Sequence, residues 1–162
     1  EREQEFIVSD WPDLAGRLEA GGHVLPVRVY YEDTDFTGIV YHGAYVRFFE
    51  RARSDFLRLI GIHHKEMASG SHGAVLAFAV RSMTLDFQKP ARIDDVLEVR
   101  TSLAECKGAR IRLDQLIYRD EELLVSAAVT VAVITMEGRP ARLPKTLAEK
   151  LLEHSPGESG RD

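Results

Sequence analysis

One short loop, within the stretch YYEDTDFTG, contains three carboxylic acids: Glu32, Asp33 and Asp35. An aspartate has an ordinary pKa of about 3.9 and is ionised at neutral pH. An ionised carboxylate can attack a carbonyl carbon or take a proton from water. The same residue type also shapes turns. For Asp35 both interpretations stay open on chemistry alone, whereas Glu32 and Asp33 better suit a turn-forming or solvated role.

The residues after this loop predict a long helix that begins beside the acids. Apolar residues recur at steps of one, three and four, and Gly61 provides a stop. The stripe comprises Ala44, Tyr45, Phe48, Phe49, Ala52, Phe56, Leu57 and Ile60. A helix start has unpaired N–H groups and roughly half a positive charge, so it can stabilise an anion. A carboxylate next to such a start suits attack on a carbonyl carbon.

The rest of the chain predicts an antiparallel sheet around that helix. One strand, 24–31, precedes the acidic loop, and four long strands with short links follow the helix. These four cover 74–87, 95–104, 109–118 and 123–136. The last is apolar almost throughout, which indicates either cover on both faces or a central strand that faces a partner subunit. An apolar helix must be buried, so we expect an α+β fold with the helix against the concave face of the sheet.

The ends of the chain carry weaker patterns. We expect residues 1–22 to form a peripheral N-terminal extension with a short helix over 13–20, and 23–153 to form one domain. A polar connection is expected over 63–73, a short helix over 145–153, and a disordered tail over 154–162.

Composition excludes several function classes. The net charge of −5 argues against a general nucleic-acid binder. No apolar run approaches the roughly 20 residues that cross a bilayer, and the opening EREQEF lacks the order of a secretory signal. One cysteine, Cys106, allows no intrachain disulfide and suits a reducing compartment. We therefore expect a cytoplasmic protein, in which no local feature marks Cys106 as a nucleophile.

The block VRVYYEDTDFTGIVYHGAYVRFFERAR resembles the signature of hotdog-fold acyl-CoA thioesterases. The similarity is greatest to the tol-pal-system-associated branch of the 4-hydroxybenzoyl-CoA thioesterase family. It continues through FAVRSMTLDFQKPARIDD and ARLPK and spans roughly residues 26–147. The resemblance implies a five-stranded antiparallel sheet wrapped around a long central helix. It also implies a homo-oligomer, either a dimer or a dimer of dimers (homotetramer), with sites at the subunit interface.

The resemblance also assigns site residues. Asp35 matches the catalytic carboxylate and His42 the histidine of the branch. Gly38, Val40, Tyr41 and His42 are the expected oxyanion-stabilising and substrate-binding residues, with the Tyr41 ring in the core. His42 has several open roles: hydrogen bonding to the thioester, orienting Asp35, passing a proton to the leaving thiol, or capping and packing the helix.

The implied activity is hydrolysis of acyl-CoA, of short-chain or aromatic type, to free acid and coenzyme A without a cofactor or metal. The thiol carrier, coenzyme A or acyl-carrier protein, stays open, as does peripheral contact with the membrane. One alternative is an acyl-thioester binding or scaffold protein serving envelope lipid metabolism. Another is hotdog dehydratase or hydratase chemistry.

Other polar residues have ordinary explanations. Glu50 has two readings: the helix glutamate that some hotdog thioesterases use instead of the loop aspartate, or an ion pair with a nearby arginine, one of Arg47, Arg51 and Arg53. We favour the ion pair because Asp35 already fills the catalytic role. His63, His64 and His72 match no zinc signature. Basic residues at predicted strand ends suit either the phosphates of coenzyme A or a solvated surface; they are Lys89, Arg92, Lys107 and Arg110.

Overall fold

A computed structural model describes residues 14–70 and 75–155. It contains β1 (Arg17–Glu19), β2 (Gly22–Arg28), α1 (His42–Leu59), α2 (His64–Ser69), β3 (Leu76–Phe87), β4 (Val96–Lys107), β5 (Arg110–Arg119), β6 (Glu122–Thr135) and α3 (Lys145–Leu152). A single 3₁₀ turn, Tyr31–Asp33, follows β2. The predictions for residues 1–13, 71–74 and 156–162, which concern most of the N-terminal extension, the end of the polar connection and most of the C-terminal tail, fall outside the described residues.

The strands form one antiparallel sheet in the order β1-β2-β4-β5-β6-β3. Helix α1 lies over β2 and β4, and its apolar stripe is buried against the sheet, with Phe48, Phe49 and Phe56 at its centre. Such a stripe loses most of its contact with water only when a sheet curves around it. The predicted α+β architecture, a sheet wrapped around a long central helix, is confirmed.

Three local predictions are wrong. The stretch Arg17–Glu19 is a strand paired with β2, so the sheet has a sixth strand where a short helix was expected. The predicted connection after α1 contains helix α2. Strand β6 is not buried on both faces: buried Val125, Val129 and Val133 alternate with less buried residues. Residues 17–19 form a strand because they pair with β2, and this pairing overrides their local preference. The outer face of β6 carries small side chains, so its sequence resembles that of a strand buried on both faces.

Strand β3 is an open edge of the sheet with an apolar inner face. Its partner on one side is β6, and α1 lies over the other half of the sheet. The cross-strand pairs Met83↔Val129 and Phe87↔Val125 place Met83 and Phe87 on the same face as buried valines. Yet Val80 is 48% and Phe87 49% exposed. An unpaired strand edge beside exposed apolar side chains is the kind of surface that a second chain covers.

A buried histidine joins the β1–β2 hairpin to α1. His23 Nε2 lies 2.7 Å from Asp55 Oδ2, and Arg58 donates to the other carboxylate oxygen at 2.6 Å. A Cβ on Gly16 would lie 1.8 Å from Asp55 Oδ2, so β1 can approach this closely only because position 16 is glycine. His23 Nδ1 is the one buried side-chain nitrogen or oxygen within 14–70 and 75–155 that has no hydrogen-bond partner.

That geometry favours a neutral His23 with its proton on Nε2, because a charged ring would bury an unpaired Nδ1–H. Burial lowers the pKa of His23 and outweighs the opposing effect of Asp55, while the nearby Arg58 lowers it further. Hydrogen bonds from Arg58 and His23 hold the pKa of Asp55 below its ordinary value, against the effect of burial.

We expect acid to destabilise the fold in two stages. Below pH 6.5, the ordinary pKa of histidine, His23 binds a proton more readily in the unfolded chain than in the folded one. The free energy of unfolding therefore falls as pH falls. One such group contributes at most about 1.4 kcal/mol per pH unit. Below pH 3.8, protonation of Asp55 in the unfolded chain adds a second loss.

Denaturant unfolding at a series of pH values measures this dependence. In His23→Leu the slope just below pH 6.5 should be shallower than in the wild type. An unchanged slope in that variant would assign the dependence to other histidines.

Candidate active site

Asp35 is fixed in a tight turn between β2 and α1. Its backbone N–H donates to the Ile39 carbonyl at 3.0 Å, and the Gly38 N–H donates to the Asp35 carbonyl at 3.1 Å. Its side-chain Oδ1 accepts from the backbone N–H of Thr37 at 2.8 Å and from the Thr37 hydroxyl at 2.5 Å. A carboxylate that binds the backbone two residues on is an Asx turn. The turn therefore holds the side chain in one orientation.

Gly38 permits this turn through its backbone conformation. Its φ is +83°, in the left-handed region that other residues enter only with strain, and a Cβ there would meet nothing within 4 Å. The structure therefore supports the turn-forming role of Gly38. The space beside it is open to a ligand.

One oxygen of the Asp35 carboxylate remains available. Both contacts from Thr37 go to Oδ1, and in the described part of the chain Oδ2 has no hydrogen-bond partner. The hydroxyl and the backbone N–H of Thr37 lower the pKa of Asp35, and the charge of His42 acts in the same direction. Asp35 is thus ionised at neutral pH, with a free oxygen that can accept a proton or attack carbon.

The start of α1 offers two free N–H groups beside this carboxylate. The N–H of Val40 donates to Ala91 and that of Tyr41 donates to Asp33, each at 2.9 Å. The N–H groups of His42 and Gly43 have no acceptor within the described residues, and no side chain caps the helix. The donors expected at Val40 and Tyr41 are therefore occupied, and His42 and Gly43 are the available pair. Sequence reasoning missed Gly43, although it lies inside the recognised block.

Aromatic rings surround His42. Its ring centroid lies 4.4 Å from that of Tyr41 and 6.4 Å from that of Phe87. Tyr41 was expected to bury its ring in the core, but it is 48% exposed and packs over the helix start. The prediction failed because the N-cap residue lies outside the helical repeat, so its side chain need not follow the apolar stripe.

Tyr45 and Ala91 attach the helix start to the loop before β4. The buried Tyr45 hydroxyl accepts from the Ala91 N–H at 3.0 Å, and the Ala91 carbonyl accepts from Val40. Burial raises the pKa of Tyr45, so its hydroxyl stays protonated. Both polar groups of one buried backbone unit are thus used to hold the site.

We expect Tyr45→Phe to loosen this attachment. The substitution keeps the ring but leaves the Ala91 N–H buried without an acceptor, which costs about 1–3 kcal/mol. Urea unfolding would measure the loss. Tyr30→Phe is the matched control, because Tyr30 is more than half exposed. Equal stability of Tyr45→Phe and the wild type would contradict the proposed role of this hydroxyl.

The remaining acids and Cys106 have separate places. Asp33 is buried and accepts from the Tyr30 N–H at 2.9 Å, which confirms its turn-forming role. Glu50 forms no ion pair within the described residues, so the pairing expected from sequence is wrong; it lines a cavity together with Arg53. Cys106 is half-buried, and burial raises the pKa of its thiol, which disfavours the nucleophilic thiolate.

The basic residues are dispersed. Lys89 pairs with Glu122 at 3.4 Å, while the backbone of Arg92 bridges to Ile39 next to the Asp35 turn. Lys107 and Arg110 lie together at the far end of the sheet. Within residues 14–70 and 75–155, no group of three or more His, Cys, Asp or Glu could hold a metal ion. The same residues include no helix long and apolar enough to cross a membrane.

Two known enzymes are similar to this chain in sequence. An acyl-CoA thioester hydrolase, YbgC, of Escherichia coli O6:H1 is 41% identical over 124 residues, which is 75% of this chain and 90% of that protein. The acyl-CoA thioesterase YbgC of Haemophilus influenzae is 40% identical over 125 residues, 76% of this chain and 90% of that protein.

A solved structure agrees. A probable thioesterase from Bartonella henselae superposes with a TM-score of 0.73 at 46% identity, covering 76% of this chain and 99% of that one. The thioesterase-like superfamily profile matches residues 29–151. The match includes the acidic turn, α1 and the four strands that follow, and the chain therefore belongs to the thioesterase-like superfamily, with the hotdog fold.

Proposed function

We infer that this protein hydrolyses acyl-CoA thioesters to a free acid and coenzyme A. The observation that supports this activity is the pairing of a fixed, ionised carboxylate with two free N–H groups at a helix start. The two YbgC relatives named above are acyl-CoA thioester hydrolases, and the alignment with this chain covers 90% of each of them.

In the proposed reaction the thioester carbonyl lies between Asp35 and the helix start. Oδ2 of Asp35 attacks the carbonyl carbon, or it takes a proton from a water molecule that does so. The carbonyl oxygen becomes an oxyanion that accepts from the N–H groups of His42 and Gly43. The C–S bond then breaks and coenzyme A leaves as the thiol, to which we propose that His42 passes a proton. In the direct route this leaves an Asp35–acyl anhydride, which water hydrolyses to the free acid and the regenerated carboxylate; in the water route the free acid forms when the C–S bond breaks. Loss of one such oxyanion donor costs about 3–4 kcal/mol.

We propose that two copies of the chain form the working enzyme. The open edge of β3 and the exposed inner side chains Val80 and Phe87 support pairing through this strand. Phe87 contacts His42, so a partner on β3 would also close the open side of the catalytic turn. Further assembly to a tetramer, use of acyl-carrier protein, contact with the membrane and a cytoplasmic location stay predictions.

A thiol-release assay tests the activity. The purified protein is incubated with acyl-CoA substrates of two to sixteen carbons and with aromatic ones, and free thiol and acid are both measured. We expect the two products in equal amounts. Tight binding without thiol release would favour an acyl-thioester binding protein instead, and formation of a 3-hydroxyacyl product from an enoyl-CoA would favour a hydratase.

A further inference from the structure

A basic groove lies on the outer face of the sheet, at the end opposite the catalytic turn. Its lining includes Arg81, Glu105, Lys107, Arg110, Ala132 and Pro140. Near the catalytic turn, Arg92 bridges to Ile39 just before β4 begins, and β4 ends at Lys107 in the groove. The 12 residues of this strand span roughly 36 Å at about 3.3 Å per residue. The groove is therefore remote from the Asp35 carboxylate of the same chain.

Three cations from three strands meet in this groove. Lys107 of β4 and Arg110 of β5 are direct cross-strand neighbours at the tip of their hairpin. Arg81 comes from β3, where a shift in the β3–β6 register marks a bulge. A bulge re-aims the side chain that it carries. The groove thus brings Arg81 towards the hairpin although β6 lies between β3 and β5.

The positive charge of the groove is not balanced by the protein. Its three cations are exposed, and none of them has an ion-pair partner among the residues that the structure describes. Glu105, the acid in the lining, is already paired with Arg112 at 3.2 Å. Like charges directly opposite each other on neighbouring strands destabilise a sheet, as Lys107 and Arg110 do here. A bound anion would relieve that repulsion.

The loop after β6 extends this basic end and adds an apolar side chain. Arg139 and Arg142 lie on either side of Pro140 along the chain, and both are exposed. Met136 in the same loop is 70% exposed. An apolar side chain among cations suits the boundary between lipid headgroups and acyl chains. It would add nothing to the binding of a small soluble phosphate, so the combination favours a lipid surface.

We propose that the basic groove and the loop after β6 form a docking surface for an anionic lipid bilayer. Arg81, Lys107 and Arg110 bind phosphate groups of the lipid heads, and Met136 enters the boundary layer. The chain as a whole has a net charge of −5, so an anionic bilayer repels the rest of the surface and selects this end. The docking does not depend on the proposed thioesterase activity.

Co-sedimentation of the full chain with vesicles tests this surface. One set of vesicles is pure phosphatidylcholine, and the other is an equal mixture of phosphatidylcholine and phosphatidylglycerol. We expect binding to the mixture alone, weakened by added salt. Each basic residue near an anionic bilayer strengthens binding by about fivefold. Lys107→Gln combined with Arg110→Gln should therefore weaken binding by about 25-fold, with hydrolysis of acyl-CoA in solution unchanged.

Arg51→Gln combined with Lys65→Gln is the matched control. It removes the same charge from exposed positions on α1 and α2, and it should bind vesicles as the wild type does. Met136→Ser should weaken binding without changing its salt dependence.

Several results would overturn the docking surface. They are equal binding to both kinds of vesicle, no binding to either, and an equal loss in the control pair. Displacement of the wild type from vesicles by adenosine 3′,5′-bisphosphate at constant ionic strength would also overturn it, because the groove would then bind a soluble nucleotide. A wild type that docks but releases no thiol from acyl-CoA would instead refute the proposed function and leave the docking surface supported.

Discussion

Asp35→Asn should remove most of the turnover while leaving the protein folded. The amide keeps the size of the side chain and can still accept from Thr37 through its oxygen, but it is neither a base nor a nucleophile. General-base catalysis contributes typically about 10²–10⁴-fold, so we expect kcat to fall by at least that range. The measurement is thiol release under saturating acyl-CoA, with thermal unfolding to verify the fold.

Thr37→Val tests how Thr37 tunes the pKa of the Asp35 carboxylate, because one of its two contacts still orients that side chain. The variant loses the hydroxyl contact to Asp35 Oδ1 but keeps the backbone N–H contact at 2.8 Å. Because both Thr37 contacts lower the pKa of Asp35, the acid side of the pH–rate profile should shift to higher pH.

For the first variant, a folded Asp35→Asn enzyme with near-wild-type turnover would refute the catalytic role of Asp35.

Val80→Lys should dissociate the two subunits and thereby lower the turnover. Val80 is 48% exposed in the single chain, so a charge there costs the isolated fold little. In a two-fold pair through β3 the substitution occurs twice at one interface, and like charges brought together in this way cost several kcal/mol. We expect sedimentation to show a monomer and turnover to fall by an order of magnitude or more.

Leu152→Lys is the matched control for this experiment. Leu152 is 54% exposed on α3, away from β3, and its replacement should change neither mass nor turnover. A Val80→Lys monomer with full activity would show that one chain suffices. An unchanged oligomer would place the interface elsewhere.

Much of this organisation follows from local patterns. The helical repeat after Ala44 and the period-two alternation of the strands after it each depend on burial of one face, and burial leaves a clear mark in sequence. The Asp35 turn is encoded by Asp, Thr and Gly within four positions, which together form an Asx turn with a left-handed glycine.

Other features depend on partners distant in sequence. Which N–H groups remain free at the start of α1 is decided by Ala91 and Asp33, whose carbonyls accept from Val40 and Tyr41. No pattern around position 41 reveals that Ala91 will lie there. The same holds for Arg53, which resembles an ordinary helix-surface arginine until Gln115 of β5 approaches it.

The structure of Asp35→Asn with an intact acyl-CoA bound tests the proposed site most directly. The thioester oxygen should lie about 2.7–3.1 Å from the backbone nitrogens of His42 and Gly43, with its carbonyl carbon facing the Asn side chain. A thioester bound elsewhere, or one whose oxygen faces away from the helix start, would contradict the catalytic arrangement.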